Sequence, residues 1–154
     1  MVKFLFVCHG NICRSPMAQY LLAHLAAERG LACRTQSAAT SREEIGNPIY
    51  PPARRKLREK GIPFGDHRAV QMTRQDYGAY DLLLAMDQAN VRNMTAIAGG
   101  DPAGKIHRLL DFTDHPRDIA DPWYTGDFEA TYDDLLQGCQ ALLDWLEGQD
   151  PPCV

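Results

Sequence analysis

A thiol and a guanidinium lie six residues apart near the start of this chain, in Val7-Cys8-His9-Gly10-Asn11-Ile12-Cys13-Arg14-Ser15-Pro16. The two groups have complementary chemistry. A cysteine thiolate is a strong nucleophile. An arginine offers a planar fork that holds two oxygens of a phosphate or carboxylate at once. Gly10 lets the backbone approach a ligand closely or take a positive φ, and Asn11 also tolerates the left-handed conformation. The pattern points to nucleophilic attack by Cys8 on an oxyanion held by Arg14.

The flanking elements must place these groups. Val2 to Val7 is an apolar run that reads as a buried strand. After the motif, Ala18, Leu21, Leu22, Leu25 and Ala26 recur at helical spacing, predicting a helix over about residues 16–29. Ser15 is a suitable N-cap, Pro16 fits a first helical turn, and Gly30 fits the stop. Cys8 then ends a strand, and a short loop leads to an arginine at the mouth of a helix. Loop N–H groups and the free N–H groups of the helix converge there, where the helix dipole favours negative charge. A phosphate dianion fits such a cradle, and a thiol at its floor ionises more readily. The plainer alternative for Cys8 is a buried structural thiol.

Further along, a strand is expected over Cys33 to Ala38, then loop signals over 39–51 and a helix from Pro52 to Lys60. Thr73 and Asp76 suit a short helix. Asp81 to Met86 reads as a buried strand, Asp87 as the cap of a helix ending before Gly99, and Lys105 to Leu110 as a weak fourth strand. A long loop rich in Asp and Pro covers 111–126; such loops more often carry function than not. The last helix has its apolar stripe at Phe128, Tyr132, Leu135, Leu136, Cys139, Leu142, Leu143 and Leu146, between Asp127 and Gly148. This stripe is core packing. Alternation of strands and helices predicts an α/β fold: one three-layer domain over residues 1–154, with a parallel sheet of about four strands covered on both faces. Ligands of such sheets bind beyond the carboxyl ends of the strands, where Cys8, Ser37 and Met86-Asp87 fall.

A formal charge of −4 on 154 residues argues against a nucleic-acid binder. The basic run Arg54, Arg55, Lys56, Arg58 and Lys60 reads as a solvated helix face. The early apolar run is too short for a signal peptide or a membrane span, so a cytoplasmic protein without membrane attachment is expected. Five cysteines, at 8, 13, 33, 139 and 153, contain no Cys-x-x-Cys pair, which argues against a zinc site or a disulfide scaffold. Gly99 to Lys105 has the spacing of a nucleotide-binding loop. It is followed by Ile106 rather than Ser or Thr and leads into a strand, so it is set aside.

Cys-x5-Arg-Ser in this fuller setting resembles the low-molecular-weight protein tyrosine phosphatases. The resemblance continues through Ser37-Ala38, Asp66-His67-Arg68-Ala69, Met86-Asp87 and Asp121-Pro122-Trp123-Tyr124, in order, over essentially the whole chain. It implies a hydrolase for phosphotyrosine proteins or aryl phosphates that needs no metal or cofactor. Cys8 would be the nucleophile. Arg14 and the N–H groups of His9, Gly10, Asn11, Ile12, Cys13 and Ser15 would bind phosphate. Ser15 would also hydrogen-bond the sulfur. Asp121 would be the general acid and base; read alone, it equally begins a turn before Pro122. Trp123 and Tyr124 would wall the pocket. Asn11 and Ser37 would hold the loop by hydrogen bonds, and His67 would buttress it. A monomer or weak dimer is expected. The sequence departs from the family at Arg42-Glu43-Glu44, where many members place an aromatic residue on a pocket-lining loop; acidic phosphopeptides would bind less well here. Three alternatives share the motif. A thiol-dependent arsenate reductase would need further cysteines between Cys33 and Cys139. A protein-arginine phosphatase would have Thr where Ile12 stands. An inactive phosphate-binding module would not need Cys8, Arg14 and Asp121 together.

Overall fold

The computed structural model describes residues 1–149, so Cys153 and the end of the expected domain lie outside the described residues. Four parallel strands form one sheet in the order β2-β1-β3-β4. They are β1 (Val2–Cys8), β2 (Cys33–Ala39), β3 (Leu82–Ala85) and β4 (Ile106–Arg108). The helices are α1 (Arg14–Arg29), α2 (Pro51–Glu59), α3 (Arg74–Ala79), α4 (Gln88–Ala98), α5 (Pro122–Thr125) and α6 (Phe128–Glu147). None of the described helices is long and apolar enough to cross a membrane.

Strand β1 is interior and buried on both sides, which explains its unbroken apolar run. Its period of two sorts it between two cores. Phe4, Phe6 and Cys8 join α1, α2 and α6, whereas Leu5 and Val7 join Met94 of α4. Cys8 therefore leaves the sheet on the α1 side, at the carboxyl end of the strand.

Caps follow the sequence closely. Thr73 and Asp76 form a capping box on α3, Asp87 accepts from Asn90 N at 2.8 Å, and Asp127 accepts from Ala130 N at 2.9 Å. Gly30 and Gly99 end α1 and α4 at φ of 70° and 79°. Most of the predicted α6 stripe is buried, with Phe128 and Leu136 at its edge. Gly138 lets α6 close tightly on the next element: a Cβ there would stand 2.5 Å from Leu109 Cγ.

Four expectations need correction. Strand β4 stops at Arg108, and Leu109–Phe112 form a 3-10 turn. Leu109 and Leu110 are both buried, and alternation along a strand would send one of them to the opposite face. The stretch 111–126 is not loop throughout, because Pro122–Thr125 make the short helix α5. Helix α1 starts at Arg14 with Cys13 as its cap, so Ser15 lies inside the first turn; its hydroxyl is turned toward Cys8 instead of capping. The basic run on α2 is partly paired: Lys56 and Lys60 reach Glu129 of α6 at 2.6 and 2.9 Å.

Candidate active site

The loop from β1 to α1 is held open by its neighbours. Thr40 N donates to Cys8 O at 3.0 Å, while Ser41 N and Oγ both donate to His9 O, at 3.1 and 2.9 Å. Tyr50 N donates to Ile12 O at 2.9 Å. Asn11 is fully buried with φ of 61°, the single non-glycine left-handed residue among those described. Its side chain accepts from Val70 N at 3.1 Å and donates to Ser15 Oγ at 2.8 Å. Its carbonyl accepts from His67 Nε2 at 2.8 Å. Burial pulls His67 below the usual imidazole value, outweighing that bond, so the ring is a neutral donor. The reversal of the loop thus falls on Asn11. Gly10 is not left-handed; a Cβ on it would meet Glu44 Cγ at 3.4 Å.

The loop carbonyls of His9, Asn11, Ile12 and Cys13 are occupied, but its donors are not. From His9 to Cys13, no backbone N–H donates to another group among the described residues. Five successive donors are therefore left without an internal acceptor, an arrangement that suits an oxyanion. Arg14 adds to it. The side chain is 2 % exposed, and Nη1 donates to Asp87 Oδ2 at 2.7 Å and to Ile119 O at 2.8 Å. Its Nε is buried without a partner. Burial works against the guanidinium charge, yet Cys8, Asp87 and Asp121 together hold it above the ordinary value. An anion that satisfied Nε would complete the set of hydrogen bonds.

Cys8 is 3 % exposed and its Sγ lies 3.1 Å from Ser15 Oγ. That hydroxyl already accepts from Asn11, so its own proton is free to be donated to a thiolate. Burial raises the Cys13 thiol strongly, and the neighbouring Cys8 raises it further. Cys13 is thereby kept a thiol.

Asp121 arrives on a pinned segment that follows β4. Ile119 N donates to Met86 O at 2.9 Å, and Asp118 accepts from Gln88 N at 2.9 Å and Arg108 Nη1 at 3.1 Å. The two carboxylate oxygens of Asp121 then do different things. Oδ1 accepts from Trp123 N at 3.0 Å and caps α5. Oδ2 sits 3.4 Å from Arg14 Nη2. Asp121 thus both begins the turn into α5 and lines the pocket.

These pieces enclose a pocket of about 100 Å³ lined by Cys8, the loop, Asp121, Trp123 and Tyr124. Glu43 and Glu44 complete its rim. Trp123 is half exposed and braced by Tyr50, with ring centroids 4.8 Å apart. Of the sequence-predicted site residues, only Ser37 stands apart. Its hydroxyl donates to Gln19 Oε1 of α1 at 2.6 Å, not to the loop. The cause is register: Ser37 pairs with Phe6 and shares its α1-facing side of the sheet. Sequence reading passed over Asp87 as the holder of Arg14, and over Thr40, Ser41 and Tyr50. Asp87 carried one signal, a carboxylate at the carboxyl end of a buried strand.

The family model described as low molecular weight phosphotyrosine protein phosphatase matches residues 3–150. The chain is 40% identical over 147 residues to the low molecular weight protein-tyrosine-phosphatase YfkJ of Bacillus subtilis, covering 93% of this chain and 94% of that protein. It is 34% identical over 148 residues to PtpA of Staphylococcus aureus, which carries the same description, covering 95% and 94%. The crystal structure of YfkJ superposes with a TM-score of 0.92 at 39% identity, over 97% of this chain and 98% of that one. A drosophila arginine phosphatase also shares the fold, with a TM-score of 0.86 at 28% identity over 97% and 100% of the chains. The chain belongs to the low molecular weight phosphotyrosine protein phosphatase family.

Proposed function

We propose that this chain acts as a single catalytic domain that hydrolyses phosphotyrosine monoesters, in proteins or as simple aryl phosphates, through a phosphocysteine intermediate. The observation that carries the reading is that five successive loop N–H groups beside Cys8 and the buried Arg14 Nε have no partner among the described residues. Those donors bind the phosphate and stabilise its equatorial oxygens as charge shifts in the transition state. Cys8 Sγ attacks phosphorus, a P–S bond forms, and the P–O bond to the aryl group breaks. Asp121, the carboxyl group beside Arg14, gives its proton to the departing phenolate. Water then attacks the phosphocysteine, Asp121 takes its proton, and the P–S electrons return to sulfur. Ser15 Oγ, 3.1 Å from that sulfur, stabilises the thiolate as it leaves. Trp123 and Tyr124 flank the aryl ring. Asn11 and His67 shape the cradle through the Asn11 carbonyl and side chain.

Arsenate reduction has less support. Cys139 is buried in the core beside Ala18, and Cys33 stands at the opposite end of β2 from the loop. Ile12 at the pocket wall favours an aryl group over a guanidinium. The test is turnover of matched phosphotyrosine, phosphoarginine and phosphoserine peptides, with arsenate reduction measured alongside. Phosphotyrosine is expected to be the best substrate, and Cys8→Ser, nearly isosteric but a poor nucleophile, to abolish turnover while keeping the fold. Preference for phosphoarginine, or undiminished activity of C8S, overturns the reading.

A further inference from the structure

The lip of the pocket carries charge that the chemical steps do not use. Glu43 and Glu44 line the same pocket as Cys8 and Asp121. Neither is loose. Glu43 Oε2 lies 3.0 Å from His9 Nε2, and Glu44 Oε2 accepts from Asn47 Nδ2 at 2.6 Å. Glu44 also lies along Gly10, its Cγ within 3.4 Å of where a Cβ there would stand. Both carboxylates are thus tethered at the mouth.

Little in the lining balances them. No lysine or arginine contributes to it. Arg14 is buried outside the lining, with Nη1 committed to Asp87 and Ile119. Arg42 is exposed and outside the lining. His9, even when protonated, offsets one carboxylate of the two. A phosphate seated on the loop donors and Arg14 Nε places its aryl ring against Trp123 and Tyr124. The residues on either side of that tyrosine then emerge at the lip.

We infer that Glu43 and Glu44 select among phosphotyrosine sites by flanking charge, favouring those with Lys or Arg beside the phosphotyrosine and disfavouring those with Asp or Glu there. The inference rests on the phosphotyrosine reading above. Exposed ion pairs are individually modest, so each charge shifts kcat/KM about two- to five-fold. A basic and an acidic peptide should therefore differ about ten-fold at low salt, and the gap should close as salt screens the lip.

The experiment compares three phosphotyrosine peptides of one core sequence, flanked by Lys, Ala or Asp, at low and high ionic strength. The readout is the ratio of kcat/KM values, which cancels any uniform effect on the enzyme. The wild type should rank them Lys, Ala, Asp at low salt. The ratio should fall toward one in Glu43→Gln/Glu44→Gln, with the single variants between, because glutamine keeps the contacts to His9 and Asn47 and removes only charge. Equal kcat/KM for the three peptides, or a ratio unaltered in the double variant, overturns this inference alone. Absence of phosphate release from all three peptides overturns it together with the phosphotyrosine reading.

Discussion

The division of labour between the two oxygens of Asp121 makes Asp121→Asn an informative perturbation. The amide oxygen can keep the 3.0 Å bond from Trp123 N, so α5 stays capped. The amide nitrogen takes the place of Oδ2 beside Arg14 and has no acidic proton to give. Fold and phosphate cradle should therefore survive while proton transfer is lost. The loss depends on the leaving group. Phenolates with a conjugate-acid pKa of about 10, as for tyrosine, need protonation as they depart. General acid catalysis is worth about 10²- to 10⁴-fold, or about 3–5 kcal/mol of barrier. A nitrophenolate is a far better leaving group and needs little help. The assay is the rate of phosphoenzyme formation, from burst kinetics, across aryl phosphates of graded leaving-group pKa. D121N should slow the phosphotyrosine-like end by two orders of magnitude or more, bring the nitrophenyl end down only slightly, and bind vanadate normally. Asp121→Ala adds a structural penalty, because cap removal costs about 1 kcal/mol and so about 2–4 °C in Tm for a chain of this size. A uniform slowing across the series in D121N would refute the acid role and leave Asp121 a turn residue.

Arg14→Ala should reduce turnover to near background and abolish phosphate binding, since it removes the orphaned Nε and frees Asp87; isothermal titration with inorganic phosphate checks it. His67 gives a pH signature. Its folded pKa is depressed by burial, so the unfolded chain binds the proton more readily, and stability is full above the unfolded value of about 6.5 and falls as pH drops through the lower folded value. Thermal melts from pH 8 to pH 5 should show this slope in the wild type and a weaker one in His67→Gln, which keeps a donor to Asn11 O. Gly138→Ala should lower Tm by several degrees: overpacking costs of about 1–3 kcal/mol exceed the helix-propensity gain of about 1 kcal/mol, because Leu109 Cγ stands 2.5 Å from the new Cβ. An unchanged Tm would show that Leu109 repacks freely.

The parts of the site that were legible in the sequence are those carried by short contiguous strings. The strand, loop and helix around Cys8 follow from an apolar run, an asparagine that tolerates the left-handed conformation and helical spacing. Asp87 and Asp127 announce themselves as caps. What escaped depends on distance in sequence. Asp87 is 73 residues from Arg14, and its meeting with the guanidinium requires β3 to lie next to β1. Strand order of that kind is not written in local periodicity. Ser37 failed for a similar reason, since facing α1 rather than the loop is a matter of register with Phe6. Two consecutive leucines at the end of β4 resemble strand, but Leu109 packs against Gly138 of α6 and the two leucines lie in a 3-10 turn.

The pinned segment before Asp121 bears on how the reaction is timed. Ile119 is bonded at its N–H to Met86 and at its carbonyl to Arg14, and two residues later Asp121 caps α5. On the proposed reading of Asp121 as the acid, the conformational entropy of bringing it to the cradle is spent when the chain folds, not when substrate arrives. No lid has to sweep shut over the bound ester, and no reopening has to precede departure of the product. Substrate binding should then follow a single kinetic phase, and turnover should be set by the making and breaking of the P–S bond.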